Sequence, residues 1–140
     1  MQIDIALLAD YAAVTNDRKL VAAGIFRMIS ATRLPVEHSR MYLALQVRVL
    51  GGEEEKHHLA VRLVDPDGQM VSEIAGPLEV QRKDMAKDFT MSLVIDMAGM
   101  KFQKWGPHSF DVFADERFVD RVELEIVRSL DRNNDDRPDM

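Results

Sequence analysis

Ile3-Asp4-Ile5-Ala6-Leu7-Leu8-Ala9-Asp10-Tyr11 is the stretch whose reading decides the fold class. Ile3, Ile5, Leu7, Ala9 and Tyr11 recur every second residue, with Asp4 and Asp10 between them. A period of two is that of a strand, so the first set is expected on one face and the aspartates on the other. Thr15-Asn16-Asp17-Arg18-Lys19 supplies short polar turn formers, which bond to their own backbone. Leu20-Val21-Ala22-Ala23-Gly24-Ile25-Phe26 then reads as the returning strand of a hairpin. Within it Ala23-Gly24 lacks side-chain bulk, the mark of a bulge or a close backbone approach.

The same alternation continues down the chain. Met41, Leu43, Leu45, Val47 and Val49 alternate with Tyr42, Ala44, Gln46 and Arg48. After Gly51-Gly52, Leu59, Val61 and Leu63 return with the same period. Read as a hairpin, the two segments pair Val47 with Leu59, Leu45 with Val61 and Leu43 with Leu63, because a slip of one residue exposes a whole apolar set. Asp65-Pro66-Asp67-Gly68 is a strong turn signal. Met70–Ala75 and Leu78–Gln81, separated by Gly76-Pro77, suit an edge strand. Residues 27–39 and 98–108 read as long connections, and 82–88 as polar with room for one helical turn. Phe89 to Met97 reads as a central strand. Ser109–Ala114 and Phe118–Val127 form a last hairpin, with Phe110, Val112, Val122, Leu124 and Ile126 inward and a bulge near Val119-Asp120. Seven to eight strands and no convincing helix give an all-β antiparallel β-sandwich, immunoglobulin-like or related in topology.

Leu7-Leu8-Ala9-Asp10-Tyr11-Ala12, Lys19-Leu20, Gly24-Ile25-Phe26, Met41-Tyr42-Leu43-Ala44-Leu45 and Trp105-Gly106-Pro107-His108-Ser109-Phe110 together resemble an uncharacterised family of small bacterial β-sandwich proteins. The resemblance covers nearly all of residues 1–127 and implies a sandwich, with no functional residue to carry over.

The chain has 140 residues, a formal charge of −6 and no cysteine. That length suits one domain, expected over residues 1–130, with a polar, disordered tail at 131–140. The negative charge speaks against nonspecific nucleic-acid binding, which needs a basic surface, and against anionic membranes. Without cysteine there is no disulfide framework, thiol nucleophile or thiolate metal site. An acidic start and no long apolar run make the cytoplasm the expected location.

Candidate chemistry is sparse. His57-His58 follows Glu53-Glu54-Glu55, but adjacent strand residues point to opposite faces and cannot easily share a metal. Asp65, Asp67 and Asp115 fall in predicted turns, where aspartate serves as a calcium ligand or an ordinary turn residue. None of the serines sits in a Gly-x-Ser-x-Gly elbow, and no phosphate-cradling glycine loop occurs. Trp105, beside Lys104, reads as a binding hot spot or as a plug for the end of the sandwich. Tyr42 and Ala44, placed beside Ala60 and Val64 by the proposed hairpin and framed by Arg40, Arg48 and Arg62, read as an apolar patch ringed by arginine. The expectation is a noncatalytic module that forms a homodimer or docks a protein partner, needing no cofactor or metal. The alternatives are a small-ligand or metal-binding sandwich domain, and a hydrolase built from scattered carboxylates and histidines.

Overall fold

The computed structural model describes residues 1–129; the tail expected at 131–140 lies outside them. Eleven strands, more than the seven or eight expected, run in chain order as β1 (Gln2–Val14), β2 (Leu20–Phe26), β3 (Met28–Ala31), β4 (Val36–Glu37), β5 (Tyr42–Val49), β6 (Lys56–Val64), β7 (Met70–Glu79), β8 (Phe89–Asp96), β9 (Lys101–Phe102), β10 (Gly106–Ala114) and β11 (Arg117–Arg128). One sheet has the order β2-β1-β5-β8 and the other β3-β11-β10-β6-β7, while β4 and β9 form a separate two-stranded ladder. All pairs are antiparallel except β3 with β11. The molecule is an all-β sandwich. The extra strands fall where loops were expected, β3 and β4 within 27–39 and β9 within 98–108, and residues 82–88 hold no helix.

The core lies between the two large sheets. Leu8, Leu43, Leu45 and Val47 from one meet Val61, Leu63, Phe110, Val112, Leu124 and Ile126 from the other, all nearly or fully buried. Each face is the apolar half of an alternating strand, and burying each large side chain contributes about 1.5–3 kcal/mol. The last hairpin forms as its alternation predicts. Its bulge is real, with Val112 opposite Asp120 and Phe113 opposite Phe118, leaving Val119 as the extra residue against the core.

The central pairing is different from the one the sequence suggests. Strand β5 pairs with β1 and β8, and β6 pairs with β10 and β7. Leu45 and Val61 therefore belong to opposite sheets, and the β5–β6 connection crosses the sandwich instead of closing a hairpin. Two strands with one apolar face each bury it equally well side by side or face to face, and alternation does not distinguish the two. The crossing is held by Arg82, whose guanidinium donates to the carbonyls of Leu50 at 3.0 Å, Lys87 at 3.0 Å and Glu53 at 2.6 Å.

The first strand is also reset. A bulge between Ile3 and Ile5 shifts the parity, so Ile3, Ala6 and Leu8 oppose the core residues Val47, Leu45 and Leu43, while Ile5, Leu7, Ala9 and Tyr11 face away. Asp4, the extra residue, is engaged by Arg48. Gly24 has φ +71°, and a Cβ there would lie 2.8 Å from Asp10 Oδ2; the close approach expected at this glycine is to that carboxylate.

Leu45 is fully buried and Gln46 half-buried on the opposite face. Leu45→Ala is expected to cost about 2–5 kcal/mol in a denaturant melt, and Gln46→Ala well under half of that. Equal losses would contradict the face assignment.

Candidate interaction surface

The residues singled out in the sequence do not converge. Tyr42 and Arg48 lie on β5 and Arg62 on β6, in different sheets, so the arginine-ringed patch does not exist as one surface. Ala44 and Ala60, expected on its outer face, are buried, at 0% and 4% exposure. Ala44 sits between Leu7 and Val94 on the neighbouring strands. The hairpin expected from the sequence would set Arg48 across from His58 and Arg62 across from Ala44; instead Arg48 faces Gln2 and bonds Asp4, and Arg62 faces Glu73 and Asp111. Tyr42 packs edge-to-face on Tyr11, with ring centroids 6.5 Å apart.

Lys104 is committed to the β6–β7 turn. Its Nζ donates to Asp65 Oδ2 at 2.9 Å and Asp67 Oδ2 at 2.6 Å. The hydrogen bond from Lys104 and the amides of Gln69 and Asp67 hold the Asp65 carboxyl below its ordinary value. Trp105 is half-buried and packs against the core. Asp115 lies at the other end of β6, where it bonds His57 Nδ1 at 2.6 Å and the His58 amide at 2.8 Å. Among the described residues no group of three or more His, Asp or Glu is placed to hold a metal ion.

Two features were not visible in the sequence. The first is a row of alternating charge across the outer face of the five-stranded sheet, Arg121–Asp111–Arg62–Glu73, set by the register of β11, β10, β6 and β7. Arg121 grips Asp111 with two hydrogen bonds, 2.8 and 3.1 Å, and Arg62 bonds Glu73 at 2.6 Å while lying 4.2 Å from the Phe113 ring centroid. Only strand order brings these four together, and strand order is not written in the local pattern.

The second is an open flank where β7 and β8, the last strands of the two sheets, run beside each other without a covering strand. A cleft of about 260 Å³ opens between them, lined by Leu59, Val61, Ile74, Leu78, Leu93 and Ile95. A second of about 450 Å³ continues past Leu63, Val71 and Met97. Met70, Val71 and Ile74 of β7 are 57%, 53% and 39% exposed. The expectation that Phe89–Met97 is a central strand is therefore corrected, since β8 pairs with β5 alone. Tyr11, Val21 and Ile25 form a further exposed apolar face on the first hairpin.

The architecture defines a β-sandwich module with one lateral side open. The chain matches the family model described as DUF6941, a family of unknown function, over residues 4–127, and it belongs to that family. No curated protein matches it. Among solved structures, it is similar to the Pseudomonas fluorescens alkylpurine DNA glycosylase AlkC bound to DNA containing an abasic site analogue, with 12% identity and a TM-score of 0.48 over 90% of this chain and 30% of that one. A β-glucosidase from Listeria innocua matches with 13% identity and a TM-score of 0.41 over 74% and 15%. An immunoglobulin-like protein from Pseudomonas aeruginosa matches with 12% identity and a TM-score of 0.38 over 89% and 94%. The chain thus spans less than a third of the first two, and at these values none of the three bears on its activity.

Asp111 supplies a test of the charged row. Burial pushes its carboxyl up, but hydrogen bonds from Arg121 and Ser109 and the Arg121 charge outweigh that and hold it below its ordinary value. A depressed carboxylate contributes stability at neutral pH that is lost as pH falls through the folded value, here below about pH 4. Asp111→Asn is expected to lose about 1–2 kcal/mol at pH 7, discounted because Arg121 is half exposed, and to show a shallower loss between pH 4 and 2. Parallel acid limbs for the two proteins would contradict the assignment.

Proposed function

We propose that the protein is a noncatalytic assembly module of the bacterial cytoplasm that self-associates as a homodimer. The observation that carries this reading is the open β7–β8 flank, where the inner faces of both sheets reach solvent through the apolar cleft between Ile74 and Leu93. Apolar surface of this kind, bounded by strand edges, fits a protein chain. Arg48 and Arg62, first read as framing a protein-binding patch, and Lys104 beside Trp105 are held within the chain by Asp4, Glu73, Asp65 and Asp67, so the reading rests on the flank. Sedimentation equilibrium of the purified chain across a hundredfold concentration range tests the proposal. A single dimeric species in reversible exchange with monomer at micromolar or lower concentration is expected. A monomer at every concentration would overturn it.

A further inference from the structure

We infer that the dimer forms by antiparallel pairing of β8 with β8 of a second copy, about a twofold axis at Leu93, giving one continuous eight-stranded sheet. The inference rests on the assembly reading above and adds its partner, strand and register.

A sheet edge invites pairing unless it is short, irregular or charged, and three of the four edges of the two large sheets are protected in those ways. Strand β3 has four residues. In β2 the ladder is interrupted at Gly24, where φ is +71°. Strand β7 carries a register shift at Val71, Pro77, and the charges of Glu73 and Glu79. Strand β8, Phe-Thr-Met-Ser-Leu-Val-Ile-Asp, pairs with β5 over all eight residues without a shift. It contains no proline, glycine, lysine or arginine, and its one charge is Asp96 at the end.

Its free backbone groups can be named. The Met97 amide bonds the Met41 carbonyl at 2.8 Å, which makes that directly opposed pair a hydrogen-bonded one. Hydrogen-bonded pairs alternate along an antiparallel ladder, so Met91, Leu93 and Ile95 spend their amides and carbonyls on β5. Thr90, Ser92, Val94 and Asp96 turn theirs to the open edge, where no backbone partner meets them among the described residues.

A second copy fits this edge. With the axis at Leu93, Ser92 opposes Val94 and Thr90 opposes Asp96 across the interface, so the outward groups pair and the two Asp96 carboxylates stay apart. On the inner face Leu93 meets Leu93 and Met91 meets Ile95, extending the core over the cleft that Ile74 now leaves open. The register also brings a carboxylate to a cleft that holds an arginine beside Glu79. Arg18, which has no ion pair among the described residues, lines a cleft of about 280 Å³ with Glu79, Val80, Thr90 and Ser92. Asp96 of the second copy arrives opposite Thr90, at that cleft.

Two variants of the full chain test the inference beside wild type. Val94→Pro removes an amide that faces the open edge and leaves the β5 ladder whole, which an edge strand tolerates. It is expected to keep its fold and to raise the dimer dissociation constant at least a hundredfold. Leu93→Cys introduces the chain's only thiol, at a position where opposed Cα atoms of a non-hydrogen-bonded pair, about 4.5 Å apart, permit a disulfide. Mild oxidation is expected to link it into a covalent dimer, and Thr90→Cys is expected not to link. A wild-type dimer whose Leu93→Cys variant stays unlinked, or that Val94→Pro leaves equally tight, overturns the β8 interface and leaves self-association standing. A monomeric wild type overturns both.

Discussion

The face-to-face burial of Leu43, Leu45 and Val47 against Val61, Phe110 and Val112 is the contact on which the rest of the molecule depends. It requires β5 and β6, consecutive in sequence, to lie in opposite sheets. That crossing makes the chain a sandwich rather than a row of hairpins, and it fixes the neighbours of every other strand. The Arg82 guanidinium binds the carbonyls on both sides of the crossover. A planar cation with several donors suits that task, and a lysine, as a point charge, does not reproduce it.

How much of this was legible follows from what period two encodes. It reports which residues share a face: the inward sets read for β5, β10 and β11 are all buried, as are Val61 and Leu63 of β6, while Leu59 is partly buried and the outward Ala44 and Ala60 are buried between neighbouring strands. It does not report which strand lies alongside. The assumed pairing of Leu45 with Val61 joined residues that do touch the same core, but across it instead of within a sheet. In β1 a single extra residue at Asp4 reversed the faces, and a bulge of that kind has no side-chain signature when aspartate occupies it. Glycine was more informative: the missing bulk at Ala23-Gly24 read as a bulge or a close approach, and a close approach, to Asp10, is what is found there.

The candidate site was legible only in part for the same reason. Arg48, Arg62 and Lys104 were visible as cations, but their carboxylate partners come from other strands and turns. Edge status is a property of the whole sheet order, so β8 read as central on its own pattern. What the sequence did hold was the absence of charge at Thr90, Ser92 and Val94. Once β8 is known to be an edge, that absence distinguishes it from β7, which carries the proline, bulge and glutamates that discourage pairing.

Amide hydrogen exchange of the individual β8 residues, followed by NMR as a function of protein concentration, is the most direct measurement of that distinction. Met91, Leu93 and Ile95, bonded to β5, are expected to exchange slowly at every concentration. Thr90, Ser92, Val94 and Asp96 are expected to be protected in concentrated protein and to approach solvent-exposed rates on dilution. Exposed rates for those four amides in a sample shown to be dimeric would contradict the account.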